Sequence, residues 1–329
     1  MTVLVTGGAG YIGSHMVLEL LDAGEAVVVL DNLSTGFAWA VDPRATLVVG
    51  DMGDQDFVER VIRQHGADAI IHFAARIVVP DSVADPLGYY LANTVKTRAV
   101  MAAAVATGIR HFIFSSTAAV YGTPEVMPVA EDAPTRPESP YGTSKLITEW
   151  MLRDAAAAHP LSYVVLRYFN VAGADPAGRT GQSSPNATHL IKVAVQTALG
   201  LRAKMDVFGT DYPTPDGTCV RDYIHVTDLV RAHSAALAYL RAGGASMVAN
   251  CGYGRGYSVQ EVIDTVRKVT RVDFRADYAP RRAGDAAAVV ANPALAKARL
   301  AWQPRHEDLN EIVEHAFAWE RRLANGPKT

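Results

Sequence analysis

The sequence is short of the features that would set it apart from ordinary globular proteins. It has only two cysteines, Cys219 and Cys251, and neither has a Cys or His at metal-ligand spacing. At most one bridge can form, so both read as buried thiols and no bound metal is expected. No apolar run approaches the ~18 residues of a membrane helix, and the first Lys or Arg is Arg44, too late for the basic start of a secretory signal. These absences predict a cytoplasmic protein. Charge of either sign is also scarce in excess. Lys and Arg number 31 against 34 Asp and Glu, for a formal net charge of -3, so neither nucleic acid nor an acidic membrane surface is indicated. Gly (26) and Pro (17) are at ordinary usage and 49% of residues are hydrophobic, which excludes disordered and collagen-like chains. There is no internal repeat.

What is present is a core-forming chain of 329 residues, long enough for one large or two ordinary domains. The apolar run Val3-Leu4-Val5 meets a glycine cluster. A helical pattern (Ile12, Met16, Leu20) and a second apolar run, Ala26 to Leu30, follow. Further runs at Thr46 to Val49, Ala69 to Phe73, Phe112 to Phe114 and Tyr163 to Leu166 are separated by helix-length segments such as Asp54 to Gln64 and Thr94 to Thr107. This alternation predicts an α/β fold with a doubly wound parallel sheet of Rossmann type. After Asn170 the texture changes. Gly173 to Pro185 is rich in Gly, Pro, Ser and Asp, and a smaller α/β substrate-binding domain is expected over 171–329, following a nucleotide-binding domain over 1–170. Val220 to Leu240 returns to a strand-then-helix pattern, so 220–250 is expected to rejoin the first domain.

Gly7, Gly10 and Gly13 follow the first strand directly and open a helix, with Tyr11 and Ile12 in its first turn. Glycines permit a tight turn and close approach of a pyrophosphate to the positive end of that helix. Asp31 ends the second strand, where a carboxylate accepts bonds from ribose hydroxyls and repels a 2′-phosphate. Asn32 and the residues up to Gly36 offer no Arg to a phosphate, so NAD is favoured over NADP. Asp51 and Met52 close the third strand, where a carboxylate can reach the adenine amino group; a plain surface Asp would look the same.

Tyr141 and Lys145 stand at i and i+4 on a helix that starts near Pro140. A neighbouring ammonium lowers a phenol pKa, which suits Tyr141 to exchange a proton with a substrate hydroxyl. Lys145 can also hold the nicotinamide ribose. Ser115-Ser116-Thr117 ends the fifth strand, at the sheet edge where such folds bind ligands, and a hydroxyl there can share that proton. A Ser/Thr turn is the plain alternative.

These pieces resemble the extended short-chain dehydrogenase/reductase family and, within it, the nucleotide-sugar 4-epimerases. The resemblance runs from the N-terminus to about residue 320. It rests on Gly7-Gly8-Ala9-Gly10-Tyr11-Ile12-Gly13-Ser14-His15, Asp31-Asn32-Leu33, His72-Phe73-Ala74-Ala75, Thr117 before Val120-Tyr121-Gly122, and Tyr141 with Lys145. Arg167-Tyr168-Phe169-Asn170, Phe208 to Tyr212, Val220 to Val226 and Pro280 to Asp285 complete it.

The resemblance implies NAD contacts at Phe73, Ala74, Ala75, Asn93, Ser115 and Tyr168 besides the residues above. For a UDP-hexose it implies contacts from Asn170, His189, Leu190 and Val207, the uracil against Phe208, the diphosphate on Arg221 and Arg282, and the uridine ribose on Asp285. Val289 would border the hexose C2 substituent. Arg forks suit phosphate oxygens. Ile77 departs from the pattern, since many family members have Lys there. The family's 4,6-dehydratases carry Thr-Asp-Glu where this chain has Thr117-Ala118-Ala119, and its decarboxylases place Glu at the position of Ala119. Methyl groups move no protons, so both reactions are disfavoured. What is expected is interconversion of UDP-glucose and UDP-galactose, and of N-acetylated analogues if Val289 leaves room. The resemblance further implies a homodimer formed through Thr94 to Thr107 and Ser144 to Ala157, whose alanines (Ala99, Ala102, Ala103; Ala155 to Ala158) suit close packing, although small residues also suit an interior.

Overall fold

The computed structural model describes residues 1–184, 188–282 and 285–326. Pro185, in the Gly/Pro-rich stretch, and Ala283 and Gly284, within the Pro280 to Asp285 motif, lie outside the described residues.

From the N-terminus, β1 (Thr2–Thr6) runs through the glycine turn into α1 (Tyr11–Asp22), and β2 (Ala26–Asp31) returns beside it. Then come β3 (Thr46–Val49), α2 (Gln55–His65), β4 (Ala67–His72) and two short helices, α3 (Val79–Ala84) and α4 (Pro86–Tyr90). A π-helical turn, Leu91–Val95, joins α4 to α5 (Lys96–Thr107). The helix expected from Thr94 therefore begins in that turn. Next are β5 (His111–Thr117), α6 (Pro140–Ala158), β6 (Ser162–Tyr168) and β7 (Asn170–Ala172). The chain continues with α7 (Leu190–Ala198), β8 (Met205–Phe208), β9 (Val220–His225), α8 (Val226–Arg241) and β10 (Met247–Cys251). It ends with β11 (Gly256–Ser258), α9 (Val259–Thr270), β12 (Ala276–Ala279), β13 (Ala288–Val289), α10 (Ala294–Arg299) and α11 (Leu309–Ala324).

Seven parallel strands form the main sheet in the order β10-β6-β5-β4-β1-β2-β3. Its inner strands carry apolar runs because both faces are covered. Along β1, Val3 and Val5 enter the core shared with α1 and α8, while Leu4 between them enters the core shared with α2 and α5. That is the two-residue period of a strand, and each such buried side chain contributes about 1.5–3 kcal/mol. A smaller sheet pairs β9 with β7 and β13 in parallel and with β11 antiparallel, and β8 pairs with β12. Segment 220–250 is split between the two sheets. β9 lies in the small one, α8 packs on α1, β5 and β6, and β10 extends the large one beside β6.

Candidate active site

The strand order reverses at β1, whose neighbours are β2 and β4, and the loops leaving β1 and β4 meet there. The Phe73 N–H donates to the Thr6 carbonyl at 3.0 Å. Gly7 has φ +73°, and a Cβ on it would lie 2.6 Å from the Ala74 nitrogen; one on Gly13 would lie 2.1 Å from the Gly7 oxygen. Only glycine fits at either position. Gly10 caps α1 without any side chain on the free N–H groups, and the first turn holds no acidic residue. The dipole end is left for an anion, so the turn fits a dinucleotide pyrophosphate. Tyr11 and Ile12 both pack on the core, and the Tyr11 hydroxyl donates to the Gly173 carbonyl at 2.7 Å.

Asp31 is buried and accepts from the Ala9 N–H at 3.0 Å and the Leu33 N–H at 2.8 Å. Each oxygen keeps a lone pair for a ribose hydroxyl. Asn32 turns its carbonyl oxygen back to the Ser34 N–H at 3.1 Å. Asp51 accepts from Lys96 Nζ at 2.5 Å and from the Gly53 N–H at 2.8 Å, while Met52 packs on the α2–α5 side of the core. Asn93 spends its amide on the backbone of Arg76, accepting from its N–H at 2.8 Å and donating to its carbonyl at 2.9 Å. It therefore shapes the loop that carries Phe73, Ala74 and Ala75. Ile77 is exposed, and the neighbouring Arg76 pairs with Asp85 at 2.6 Å.

Ser139 caps α6, accepting from the Gly142 N–H at 3.2 Å, with Pro140 as the first helical residue. Gly142 lets this end approach the turn after β5, since a Cβ there would lie 2.6 Å from the Ala119 oxygen. Tyr141 and Lys145 are thereby brought to the carboxyl end of β5, beside Thr117, and all three are buried. Lys145 Nζ donates to the Ser115 carbonyl at 3.0 Å and lies 4.9 Å from the Phe114 ring.

The expected lowering of the Tyr141 pKa by this ammonium is not what the side chains produce. Burial pushes the phenol up, nearby Tyr168 adds to the rise, and a hydrogen bond with Thr117 acts in the opposite direction. Burial likewise pushes Lys145 down to about 7, with Glu149 opposing. Both charged forms are short of water, and that is the largest cause of each shift.

Three sets of contacts in the site were not legible in the sequence. His233, from mid-α8, lies 4.8 Å from the Phe73 ring, with Nε2 3.4 Å from Ser115 Oγ; burial lowers its pKa to about 4, so it is neutral. Ser115 Oγ also donates to the Tyr168 hydroxyl at 3.1 Å. One helical turn beyond Lys145, Glu149 forms a buried pair with Arg167 at 2.6 Å and accepts from Ser116 Oγ at 2.5 Å. Arg167 donates on to the Tyr121 hydroxyl at 3.0 Å, which donates to Asn250 at 2.7 Å. This network ties α6, β5, β6 and β10 beneath the site, where removal of one partner would strand a buried charge.

On the other side of the crevice, Arg282 lies 4.4 Å from the Phe208 ring and donates to Asp285 at 3.1 Å, while Arg221 reaches the same carboxylate at 3.8 Å. Asn170, His189 and Leu190 line one cavity with Tyr11. The Val207 side chain is buried in the core. Val289 pairs with Arg221 across β13 and β9. Both cysteines are free and buried. Among the described residues no group of three or more His, Cys, Asp or Glu is placed to hold a metal, and no helix is long and apolar enough to cross a membrane.

A glycine turn at the switch point, a buried carboxylate at the end of β2 and a Tyr–Lys pair beside Thr117 define a class of nucleotide-dependent enzyme. The chain belongs to the NAD dependent epimerase/dehydratase family, whose sequence model matches residues 3–252. Within it the similarity narrows. The UDP-glucose 4-epimerase of Azospirillum brasilense is 56% identical over 321 residues, which cover 98% of this chain and 92% of that one. The crystal structure of UDP-glucose 4-epimerase from Brucella ovis in complex with NAD superposes with a TM-score of 0.94 at 44% identity, covering 96% of this chain and 97% of that one. The UDP-Glc/GlcNAc 4-epimerase of Campylobacter jejuni superposes with a TM-score of 0.86 at 45% identity, covering 98% and 99%.

Proposed function

We propose that the protein interconverts UDP-glucose and UDP-galactose by oxidation and re-reduction at C4, keeping its NAD throughout. The observation that carries this is the convergence of Tyr141, Lys145 and Thr117 at the carboxyl end of β5, followed by two residues, Ala118 and Ala119, with no acid or base to eliminate water. NAD, when bound, supplies the acceptor for hydride from C4 and the donor that returns it. Tyr141 takes the 4-hydroxyl proton as its phenolate, an ionisation that burial opposes and that the positive charges of bound NAD and of protonated Lys145, whose pKa is near 7, would favour; Thr117 Oγ1 shares the proton.

The glycine turn holds the pyrophosphate, Asp31 with Asn32 the adenosine ribose, and Asp51 with Met52 borders the adenine. Phe73 to Ala75, Ser115, Tyr168 and His233 close the nicotinamide end against water. Arg221 and Arg282 take the UDP diphosphate, Phe208 with the Val207 backbone the uracil, Asp285 the uridine ribose, and Asn170, His189 and Leu190 the remaining nucleotide-sugar contacts. The domains divide at about residue 170, with α8 and β10 returning to the first. We place the enzyme in the cytoplasm, where two unpaired buried thiols are stable.

Purified protein should convert UDP-galactose to UDP-glucose with no added reductant and no rise in NADH absorbance. Stoichiometric NADH would mark a net oxidoreductase instead, and absence of turnover a non-catalytic NAD-binding protein.

The same proposal includes a homodimer, carried by a stripe that differs from the expected alanine face. Ala99 and Ala103 are buried inside the protomer. The exposed apolar residues are Leu87 (79%), Leu91 (53%) and Val95 (52%), four apart along α4 to α5, with Trp150 (47%) on α6. Two copies of this face bury one another. Leu91→Asp should shift the sedimenting species from dimer to monomer.

A further inference from the structure

Two aromatic residues beyond Asp31, Phe37 and Trp39, have no part in the site described so far. The Phe37 N–H donates to the Ala9 carbonyl at 3.0 Å, and a Cβ on Gly36 would lie 2.7 Å from the Ala9 carbonyl carbon. The loop after Asp31 is therefore pressed onto the glycine turn. Trp39, 45% exposed, stacks on Phe37 at 5.2 Å and on Trp319 of α11 at 6.5 Å, each at 28°. Trp319 is fixed from behind. It is buried, its Nε1 donates to Ser183 Oγ at 3.2 Å, and a Cβ on Gly181 would lie 2.4 Å from its ring. The last helix of the chain thus lies on the loop that follows the ribose carboxylate. Along the same seam, Arg179 donates to Asp22 at 2.7 Å and Ser14 Oγ meets Thr180 Oγ1 at 2.8 Å.

We propose that Trp39 is a positioning residue for the cofactor: stacked on Trp319, it clasps the ribose loop to the far half of the chain and slows release of NAD. This rests on Gly7 to Gly13 and Asp31 holding NAD. For the adenosine ribose to leave Asp31, residues 32–36 must swing away from the glycine turn, and that motion drags Phe37 and Trp39 off Trp319. Losing one stacked aromatic pair at that step accelerates release by roughly three- to tenfold. The loop is otherwise held through backbone bonds that any residue at position 39 would leave in place.

The test compares wild type, Trp39→Ala and Trp39→Phe, each purified with NAD bound, then diluted into an excess of an NAD-consuming trap enzyme while remaining bound NAD is measured over time. The expected result is roughly three- to tenfold faster release from the Ala variant, near wild-type release from the Phe variant, and thermal midpoints at saturating NAD within about 2 °C of wild type. Equal release from Ala and wild type, equally fast release from Ala and Phe, or faster release with a midpoint lowered by more than about 2 °C would each overturn the clasp. Epimerisation of UDP-galactose by wild type is assayed separately. Its absence would sink the proposed function and leave the release rates to decide the clasp.

Discussion

Lys145→Met should stabilise the protein at pH 6 while disabling it. The ammonium is buried, with one carbonyl acceptor at 3.0 Å, and its pKa is pushed from 10.5 to about 7 by loss of water. Between about pH 7 and 10.5 the unfolded chain binds a proton at Lys145 that the folded chain does not, so stability rises with pH by up to about 1.4 kcal/mol per unit. Below pH 7 both states are protonated and the penalty is complete, roughly 5 kcal/mol. Above about pH 10.5 it is gone. Methionine keeps the unbranched stem and removes the charge, but it leaves the Ser115 carbonyl without its donor, at a cost of about 1–3 kcal/mol. The variant should therefore be about 2–4 kcal/mol more stable than wild type at pH 6 and less stable near pH 10.5. Urea unfolding at several pH values, on protein stripped of NAD so that ligand linkage does not enter, reads the difference directly. A difference that stays constant with pH would refute the reasoning, because it would mean Lys145 titrates alike in the folded and unfolded chains.

Three further outcomes follow from the site. Tyr141→Phe removes the proton carrier but keeps the ring, so turnover of UDP-galactose should fall about 10²- to 10⁴-fold with NAD still bound; retention of more than about a tenth of the rate would exclude Tyr141 as the base. Asp31→Ala should weaken NAD binding by about 1–3 kcal/mol and narrow the preference over NADP, and calorimetry showing unchanged affinity for both would remove Asp31 from the ribose site. Wild type should also epimerise UDP-N-acetylglucosamine, and Val289→Tyr should abolish that activity by overpacking, at about 1–3 kcal/mol or more, while sparing UDP-galactose. The wall cannot recede to relieve the clash. Val289 is paired to Arg221, and the next residue, Val290, accepts from the Val129 N–H at 2.8 Å. A wild type inert toward the N-acetylated sugar would place the limit on another wall.

What could be read from the sequence was what is written locally. Val3 to Val5 followed by Gly7, Gly10 and Gly13 gives a strand, a turn and a helix end within a dozen residues, and Ser139-Pro140 marks the start of the helix that carries Tyr141 and Lys145. His233 and Glu149 left no such trace, and Arg167 stood in a motif that did not show its partner, because each acts through a residue elsewhere in the chain: His233 meets Ser115 across 118 positions, and Arg167 meets Glu149 across 18 and Tyr121 across 46. The two pKa directions were unreadable for a related reason. Four residues' spacing places an ammonium near a phenol, but whether water reaches either is settled by what the rest of the chain packs over them. The alanines of α5 illustrate the same limit from the surface side, since their small size suited an interface or an interior, and only the fold shows that Ala99 and Ala103 are buried within the protomer while Ala102 is half-buried.

The threading of 220–241 constrains how a sugar can turn without its nucleotide leaving. Arg221 on β9 reaches the Asp285 carboxylate, His225 at the strand's end caps α8 by accepting from the Thr227 N–H at 3.1 Å, and α8 then carries His233 to the shelf beneath Ser115 and Phe73. One continuous strand and helix thus join the side proposed for the diphosphate to the side proposed for the nicotinamide, and a hinge between them would have to break that cap and the α8 packing on α1, β5 and β6. Freedom for the hexose must then come from the walls. The walls proposed for it offer the methyls of Ala118 and Ala119 and the side chain of Val289, which make no hydrogen bonds, whereas the side proposed for the nucleotide offers Arg221, Arg282 and Asp285. A ligand held by charge-assisted bonds at one end and by apolar contact at the other can rotate its loose end at little cost while the firm end stays seated.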